Sequence, residues 1–130
     1  MITNDVDLAA RKIYASVADR LTCNYDEFAD LIQDWIIIPM YEQQRVIGGI
    51  MVRGNELHVG MDRPNYGART YLKVIQDTLD QYGTAVTSIM KTNLSGIKFC
   101  ERLGFQITGV TRDRYVLTMR ECKICSKRST

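Results

Sequence analysis

The segment from Asn93 to Phe105 limits the possible fold more than any other part of the sequence, because it specifies one helix with both of its ends. Asparagine at position 93 can accept hydrogen bonds from the free amides of a first helical turn. Gly104 is the residue type that ends a helix in the left-handed conformation. Between them, apolar residues recur at the spacing of one helix face: Ile97, Phe99, Cys100 and Leu103. The segment therefore predicts a helix packed on a core, followed by a strand from Phe105.

Hydrophobic periodicity predicts ten elements along the chain, including the helix and strand just described. Their order is helix, helix, three strands, helix, strand, helix and two strands. The first helix spans 5–21, the second begins at Asn24, the third spans about 70–81, and the strands span about 35–41, 45–53, 56–62, 85–90, 105–110 and 114–120. The predicted inward residues of the first three helices are Val6, Ala10, Ile13, Val17, Leu21, Phe28, Leu31, Ile32, Tyr71, Val74, Ile75 and Leu79. Short turns between the first three strands indicate an antiparallel meander, and Gly48-Gly49 indicates a bulge or a close backbone approach.

Composition excludes several classes of protein. The 130 residues are enough for a single domain, 1–130, with its own core. The net charge of +2 does not indicate nucleic-acid binding. The apolar run from Trp35 to Met40 is too short to cross a membrane, and the first residues do not resemble a signal peptide. Cysteines at irregular spacing indicate reduced thiols in the cytoplasm, and Cys122 with Cys125 is only half of a zinc site, so no metal is predicted.

The pattern Asn-x-x-small-x-x-Phe-x-x-x-x-Gly-Phe over residues 93–105 resembles the fourth-helix motif of the GNAT (GCN5-related N-acetyltransferase) superfamily. The resemblance implies an α+β, GNAT-like fold, with a central, mostly antiparallel mixed sheet of about six strands flanked by four helices. The predicted order of elements agrees with that fold along nearly the whole chain. The family's first strand is expected to be reduced or absent, because only Met1 to Thr3 precede the first helix.

The resemblance also implies acetyl-CoA as the cofactor. In GNAT enzymes the pantetheine arm lies between the third meander strand and the next strand, and the pyrophosphate lies on an Arg-Gly-x-Gly-x-Gly/Ala loop at a helix N-terminus. Pro64, Asn65, Gly67 and Arg69 fall at the four loop positions, so one glycine of the pattern is retained. The implied cofactor-binding residues are Val59, Met61, Gly67, Ala68, Arg69, Thr70, Asn93 and Phe99.

Three residues are candidates for the catalytic chemistry that the family performs. A base from the third meander strand would be His58, or a water molecule held by Glu56; the alternative is that both are partly solvated strand residues. Cys100 falls where the family usually has a tyrosine acid. A thiol with a pKa near about 8.5 could protonate a coenzyme thiolate, whereas a cysteine on an apolar helix face is more often a small core residue.

Two functions follow from these patterns. The eroded loop and the missing tyrosine favour a non-catalytic GNAT-fold protein that is a structural or assembly component with protein partners. In this respect the chain is similar to small proteins from the head and internal-virion modules of tailed bacteriophages, which would make it virion-associated within a host cell. The alternative is an acetyl-CoA-dependent N-acetyltransferase that acts on an amine of a small molecule or protein. A homo-oligomer is possible in either case.

Overall fold

A computed structural model of the protein describes residues 4–61 and 68–123. The helices are α1 (Asp5–Val17), α2 (Tyr25–Leu31), α3 (Ala68–Tyr82) and α4 (Leu94–Leu103), with a 3₁₀ turn at Ala18–Arg20. The strands are β1 (Ile36–Glu42), β2 (Arg45–Arg53), β3 (Glu56–Met61), β4 (Ala85–Met90), β5 (Gln106–Val110) and β6 (Arg114–Met119). They form one sheet in the order β1-β2-β3-β4-β6-β5.

The sheet is mixed. The pairs β1–β2, β4–β6 and β5–β6 are antiparallel, and β3–β4 is parallel. This arrangement confirms the predicted α+β class and the predicted order of elements. The expectation about a first strand at residues 1–3 and the alignment of the loop over 62–67 lie outside the described residues.

Contacts along the chain define two compact units, which divide β3 after Leu57 and α3 after Tyr71. The single domain therefore stays a prediction. The first unit contains α1, α2, β1, β2 and the later part of β3. Its core includes Ile13, Phe28 and Met51. The Asn24 side chain accepts from the amide of Glu27, and the Glu27 side chain accepts from the amide of Asn24, so α2 begins with the expected capping box.

Two of the predicted core residues of the first unit are exposed instead. Val6 is 42% exposed and Leu31 is 73% exposed. The buried face of α1 begins one turn later, at Ala9, which approaches the glycine pair of β2. Leu31 is the last residue of α2, and Ile32, just beyond the helix, packs against the core.

The Gly48-Gly49 pair lies at a bulge and at a close backbone approach, as predicted. Met40 pairs with Gly48 and Tyr41 pairs with Val46, so Ile47 is the extra residue of β2. A Cβ on Gly49 would lie 2.9 Å from the Cβ of Ala9, and one on Gly48 would lie 2.7 Å from the Cα of Met61. Larger residues at these positions would push α1 and β3 away from β2.

The second unit contains the start of β3, most of α3, and β4, α4, β5 and β6. The predicted core positions Ile75, Leu79, Ile97 and Leu103 are buried. Gly104 ends α4 with φ +124°, and its amide donates to the Cys100 carbonyl. At the other end the Asn93 side chain caps the helix, so both predicted ends of α4 are confirmed. None of the helices in the described part of the chain is long and apolar enough to cross a membrane.

Candidate functional site

One edge of β4 carries backbone groups that point away from β6. Lys91 lies just past the strand, and its amide donates to the carbonyl of Asp113, 2.9 Å away. Because hydrogen-bonded and non-hydrogen-bonded pairs alternate in an antiparallel ladder, the N–H and C=O groups of Val86, Ser88 and Met90 point to the other side. The amide of Val86 donates there to the carbonyl of Asn55 over 2.8 Å, and Val86 pairs with Glu56 of β3.

Arg114 is the first residue of β6, and its side chain reaches Ser88 on the neighbouring strand β4. Its Nε donates to the Ser88 Oγ and its Nη2 donates to the Ser88 carbonyl, each over 3.0 Å. The side chain is half-buried. Two bonds to one neighbouring residue fix the plane of the guanidinium against β4.

The Asn93 cap begins α4 next to the end of β4. The Asn93 amide donates to the Met90 carbonyl, and its side-chain oxygen accepts from the amide of Gly96 over 3.1 Å. A Cβ at position 96 would lie 2.6 Å from the Asn93 Nδ2, which explains the glycine there. The side-chain NH₂ of Asn93 is a donor that the cap does not require.

A surface depression of about 570 Å³ lies along α4 and is lined by Ser95, Lys98, Glu101, Arg102 and Lys123. Lys98 and Arg102 are one helical turn apart and both are exposed. With three basic side chains and one acidic side chain, the depression has an excess of positive charge.

Cys100 is a core residue of the second unit. Its side chain is 6% exposed, and burial, with a smaller contribution from Glu101, raises the pKa of the thiol to about 12. A thiol that holds its proton so strongly is a poor acid at neutral pH. Phe99, the preceding residue, is half-buried on α4.

His58 lies in an aromatic and basic cluster of the first unit. Its ring is 5.4 Å from the Trp35 ring with an interplanar angle of 64°, and the Arg53 guanidinium lies 4.4 Å from the centre of the same Trp35 ring. The structure therefore gives His58 a packing role. Val59 and Met61 follow on β3 and are half-buried, and Glu56, at the start of the strand, is also half-buried.

The proposed pyrophosphate loop is described only at its end. Gly67, like Pro64 and Asn65, lies outside the described residues, and Ala68 is the first described residue of α3. Arg69 is exposed and Thr70 is half-buried in the first turn of that helix. The first turn contains no acidic residue. Within residues 4–61 and 68–123, no group of three His, Cys, Asp or Glu residues could hold a metal ion.

The sequence did not indicate Arg114, Ser88 or the basic face of α4 as functional residues. Lys98 and Arg102 could have been found from their i, i+4 spacing within the predicted helix. The meeting of Arg114 with Ser88 depends on the register that places Arg114 opposite Met90, and no local signal in the sequence contains that register.

Solved structures with the GNAT fold are similar to this protein over most of its length. The PaiA N-acetyltransferase of Thermoplasma acidophilum, in complex with coenzyme A, has a TM-score of 0.61 at 12% identity, over 89% of this chain and 90% of that chain. A GNAT family acetyltransferase of Elizabethkingia anophelis with acetyl-CoA bound has a TM-score of 0.65 at 11% identity, over 85% and 89%. The ribosomal-protein-S18-alanine N-acetyltransferase of Escherichia coli has a TM-score of 0.63 at 18% identity, over 92% and 89%.

These similarities establish the GNAT fold for this chain. No family model matches the sequence, and no curated protein matches it by sequence. The resemblance first indicated by residues 93–105 is confirmed at the level of the fold, and the further similarity to bacteriophage head and internal-virion proteins stays a prediction.

Proposed function

We propose that the protein is an N-acyltransferase that uses acetyl-CoA as its acyl donor and an amine as its acceptor. The observation that carries this proposal is the outward-pointing edge of β4 next to the Asn93 cap of α4, in a chain with the GNAT fold. Similar structures include acetyltransferases, two of them holding coenzyme A or acetyl-CoA. This favours the acetyltransferase alternative over a structural role in a virion.

The edge of β4 supports this cofactor. The N–H groups of Ser88 and Met90 point away from β6 and are suited to hydrogen bonds with the amides of a pantetheine arm, as an added strand would be. The Asn93 side-chain NH₂ adds a donor close to the same end of β4. Phe99 on α4, in the second unit, is the apolar contact that we assign to the arm, and the roles of Val59 and Met61 in the first unit stay predictions.

Each of the two units, taken by itself, carries cations that suit an anionic phosphate group. Arg69 lies in the first turn of α3, where a cation is unfavourable beside the positive end of the helix dipole. An anion bound by Arg69, Thr70 and the first amides of α3 would offset that cost; the predicted role of Gly67 stays a prediction. In the second unit, the basic depression along α4 offers a contact for an anionic group.

Acetyl-CoA supplies an activated acyl group as a thioester, and the protein must then accept a proton from the amine. We assign this base role to Glu56, acting through water, because Glu56 stands at the start of β3 opposite Val86. His58 is the second candidate base, although its ring packs against Trp35. We assign no acid role to Cys100, whose thiol has a pKa of about 12.

The buried thiol is also the observation that favours the competing, non-catalytic function. A GNAT-fold assembly protein would need neither an acid at position 100 nor a phosphate loop, and its partners would be proteins. A binding measurement separates the two functions, because only the enzyme requires the coenzyme.

Calorimetric titration with acetyl-CoA tests the proposal. We expect micromolar binding to the wild-type protein, and binding about tenfold weaker or worse in Arg69→Glu and in the double variant Lys98→Glu/Arg102→Glu, since each reversal replaces an attraction by a repulsion. Arg45→Glu, which reverses an exposed arginine on β2, is the control and should bind normally. Absence of binding at millimolar acetyl-CoA would reject the enzyme and favour the non-catalytic protein.

A further inference from the structure

Arg114 carries a positive charge that the described part of the chain does not neutralise. Its side-chain bonds go to the hydroxyl and the carbonyl of Ser88, which are neutral acceptors. Within residues 4–61 and 68–123, no carboxylate forms an ion pair with it. Holding a half-buried guanidinium without an anion costs free energy, because burial removes part of its hydration.

The guanidinium is also oriented for a planar anion. Nε and one N–H of Nη2 are engaged by Ser88, which leaves the edge formed by Nη1 and the second N–H of Nη2. Two parallel N–H groups on one edge match the two oxygens of a carboxylate. The bonds to Ser88 hold this edge in place before any ligand binds, which lowers the entropy cost of binding.

Arg114 shares one face of the sheet with Glu56. Arg114 pairs with Met90, and Glu56 pairs with Val86, so both side chains project on the face of β4 that carries Val86, Ser88 and Met90. Strand spacing of about 4.8 Å and a rise of about 3.3 Å per residue place the Cα atoms of Glu56 and Ser88 about 8 Å apart. Because the Arg114 guanidinium is bonded to Ser88, a single small molecule on this face is long enough to reach both Glu56 and Arg114.

We propose that Arg114 binds a carboxylate of the acceptor, so that the substrate class is a small primary amine carrying a carboxylate, such as a free amino acid. This inference rests on the proposed function. The carboxylate is held end-on by Nη1 and Nη2 of Arg114, and the amine lies toward Glu56. Ser88 is a positioning residue, because its hydroxyl and carbonyl orient the guanidinium without touching the acceptor.

Turnover with matched acceptors tests the substrate class. Release of the coenzyme thiol is measured with free amino acids and with the corresponding amino-acid amides, which keep the amine and lose the negative charge. In wild-type protein we expect the amino acids to be preferred. In Arg114→Gln the KM for an amino acid should rise at least about tenfold while turnover of the amide changes little, since a hydrogen bond to a charged group is lost. Arg114→Lys, which keeps the charge and loses the planar edge, should recover only part of the preference.

A second measurement needs no turnover and separates this inference from the proposed function. In ¹⁵N NMR spectra, the Arg114 Nε–H resonance, assigned by its loss in Arg114→Gln, is followed during titration with sodium acetate, with sodium chloride at equal ionic strength as the control. A saturable shift with acetate alone supports the carboxylate site even if no amine is acetylated. Equal responses to acetate and chloride, or equal turnover of amino acids and amides, would overturn the site, whatever the calorimetry shows for acetyl-CoA.

Discussion

Replacement of Cys100 by alanine should lower the stability of the protein at neutral pH and have little net effect on it at pH 10. The thiol is 6% exposed, so its removal leaves a small cavity and costs about 1 kcal/mol at pH 7. Burial raises its pKa from 9.0 to about 12 in the folded protein. In the unfolded chain the thiol ionises near its ordinary pKa, so the unfolded state binds fewer protons than the folded state above pH 9.

The stability contributed by this raised pKa is therefore complete below pH 9 and is lost as the pH rises toward 12. At pH 10 the thiol is ionised in the unfolded chain and protonated in the folded protein. This difference lowers the free energy of unfolding of the wild type by about 1.4 kcal/mol. Cys100→Ala has no thiol to ionise and does not incur this loss. The variant should be less stable than the wild type by about 1 kcal/mol at pH 7 and about equally stable at pH 10.

Urea unfolding under reducing conditions at both pH values measures this difference, because lysines and tyrosines elsewhere titrate in both proteins and cancel. Cys100→Val is the matched control. It fills the site differently but also lacks the thiol, so its stability at pH 7 should differ from that of Cys100→Ala while its change with pH should be the same. A wild-type-to-alanine difference that is equal at pH 7 and pH 10 would refute the raised pKa. A large loss of kcat in Cys100→Ala, with unchanged binding of acetyl-CoA, would return the acid role to Cys100.

Two further substitutions test how the helices end and begin. Gly104→Ala should destabilise the protein by about 2 kcal/mol or more, because φ is +124° and the new Cβ would lie 2.6 Å from the Glu121 carbonyl oxygen. The control Gly83→Ala, with φ +78° and no atom within 4 Å of the new Cβ, should cost only about 1 kcal/mol. Equal losses of stability in urea unfolding would contradict the steric argument. Asn24→Ala should lower the free energy of unfolding by about 1 kcal/mol through loss of the α2 cap. The double variant Asn24→Ala/Glu27→Ala should lose less stability than the sum of the two single variants, since both residues belong to one capping box. Strict additivity would show that the two bonds are independent.

Much of the fold could be predicted from the sequence because its signals are local. The cap at Asn93 and the glycine at 104 specify α4 without reference to the rest of the chain. The glycine pair of β2 likewise indicated the bulge at Ile47. Local periodicity failed where burial depends on a partner element, so Val6 and Leu31 have the spacing of core residues and are nevertheless exposed.

The candidate site was less predictable, since its contacts join residues far apart in sequence. The family pattern located Asn93 and Cys100, and the helical spacing of apolar residues placed Cys100 on the core face, which the structure confirms. Ser88 on β4 and Arg114 on β6 are separated along the chain by α4 and β5, and the register of β4 with β6 brings them together.

The alternation along β4 separates the core of the second unit from the face on which the proposed acceptor site lies. Ala85, Thr87 and Ile89 are buried, and with Cys100 they contribute to the core of the second unit. Residues 86, 88 and 90 are half-buried on the opposite face, where Glu56 and Arg114 also project. A buried thiol that keeps its proton contributes stability to the first of these faces. The second face carries opposite charges: the carboxylate of Glu56 and the guanidinium of Arg114, which no carboxylate among the described residues pairs with. In the proposed reaction the acceptor is held on this second face, so substitutions there should alter the choice of acceptor before they alter the fold.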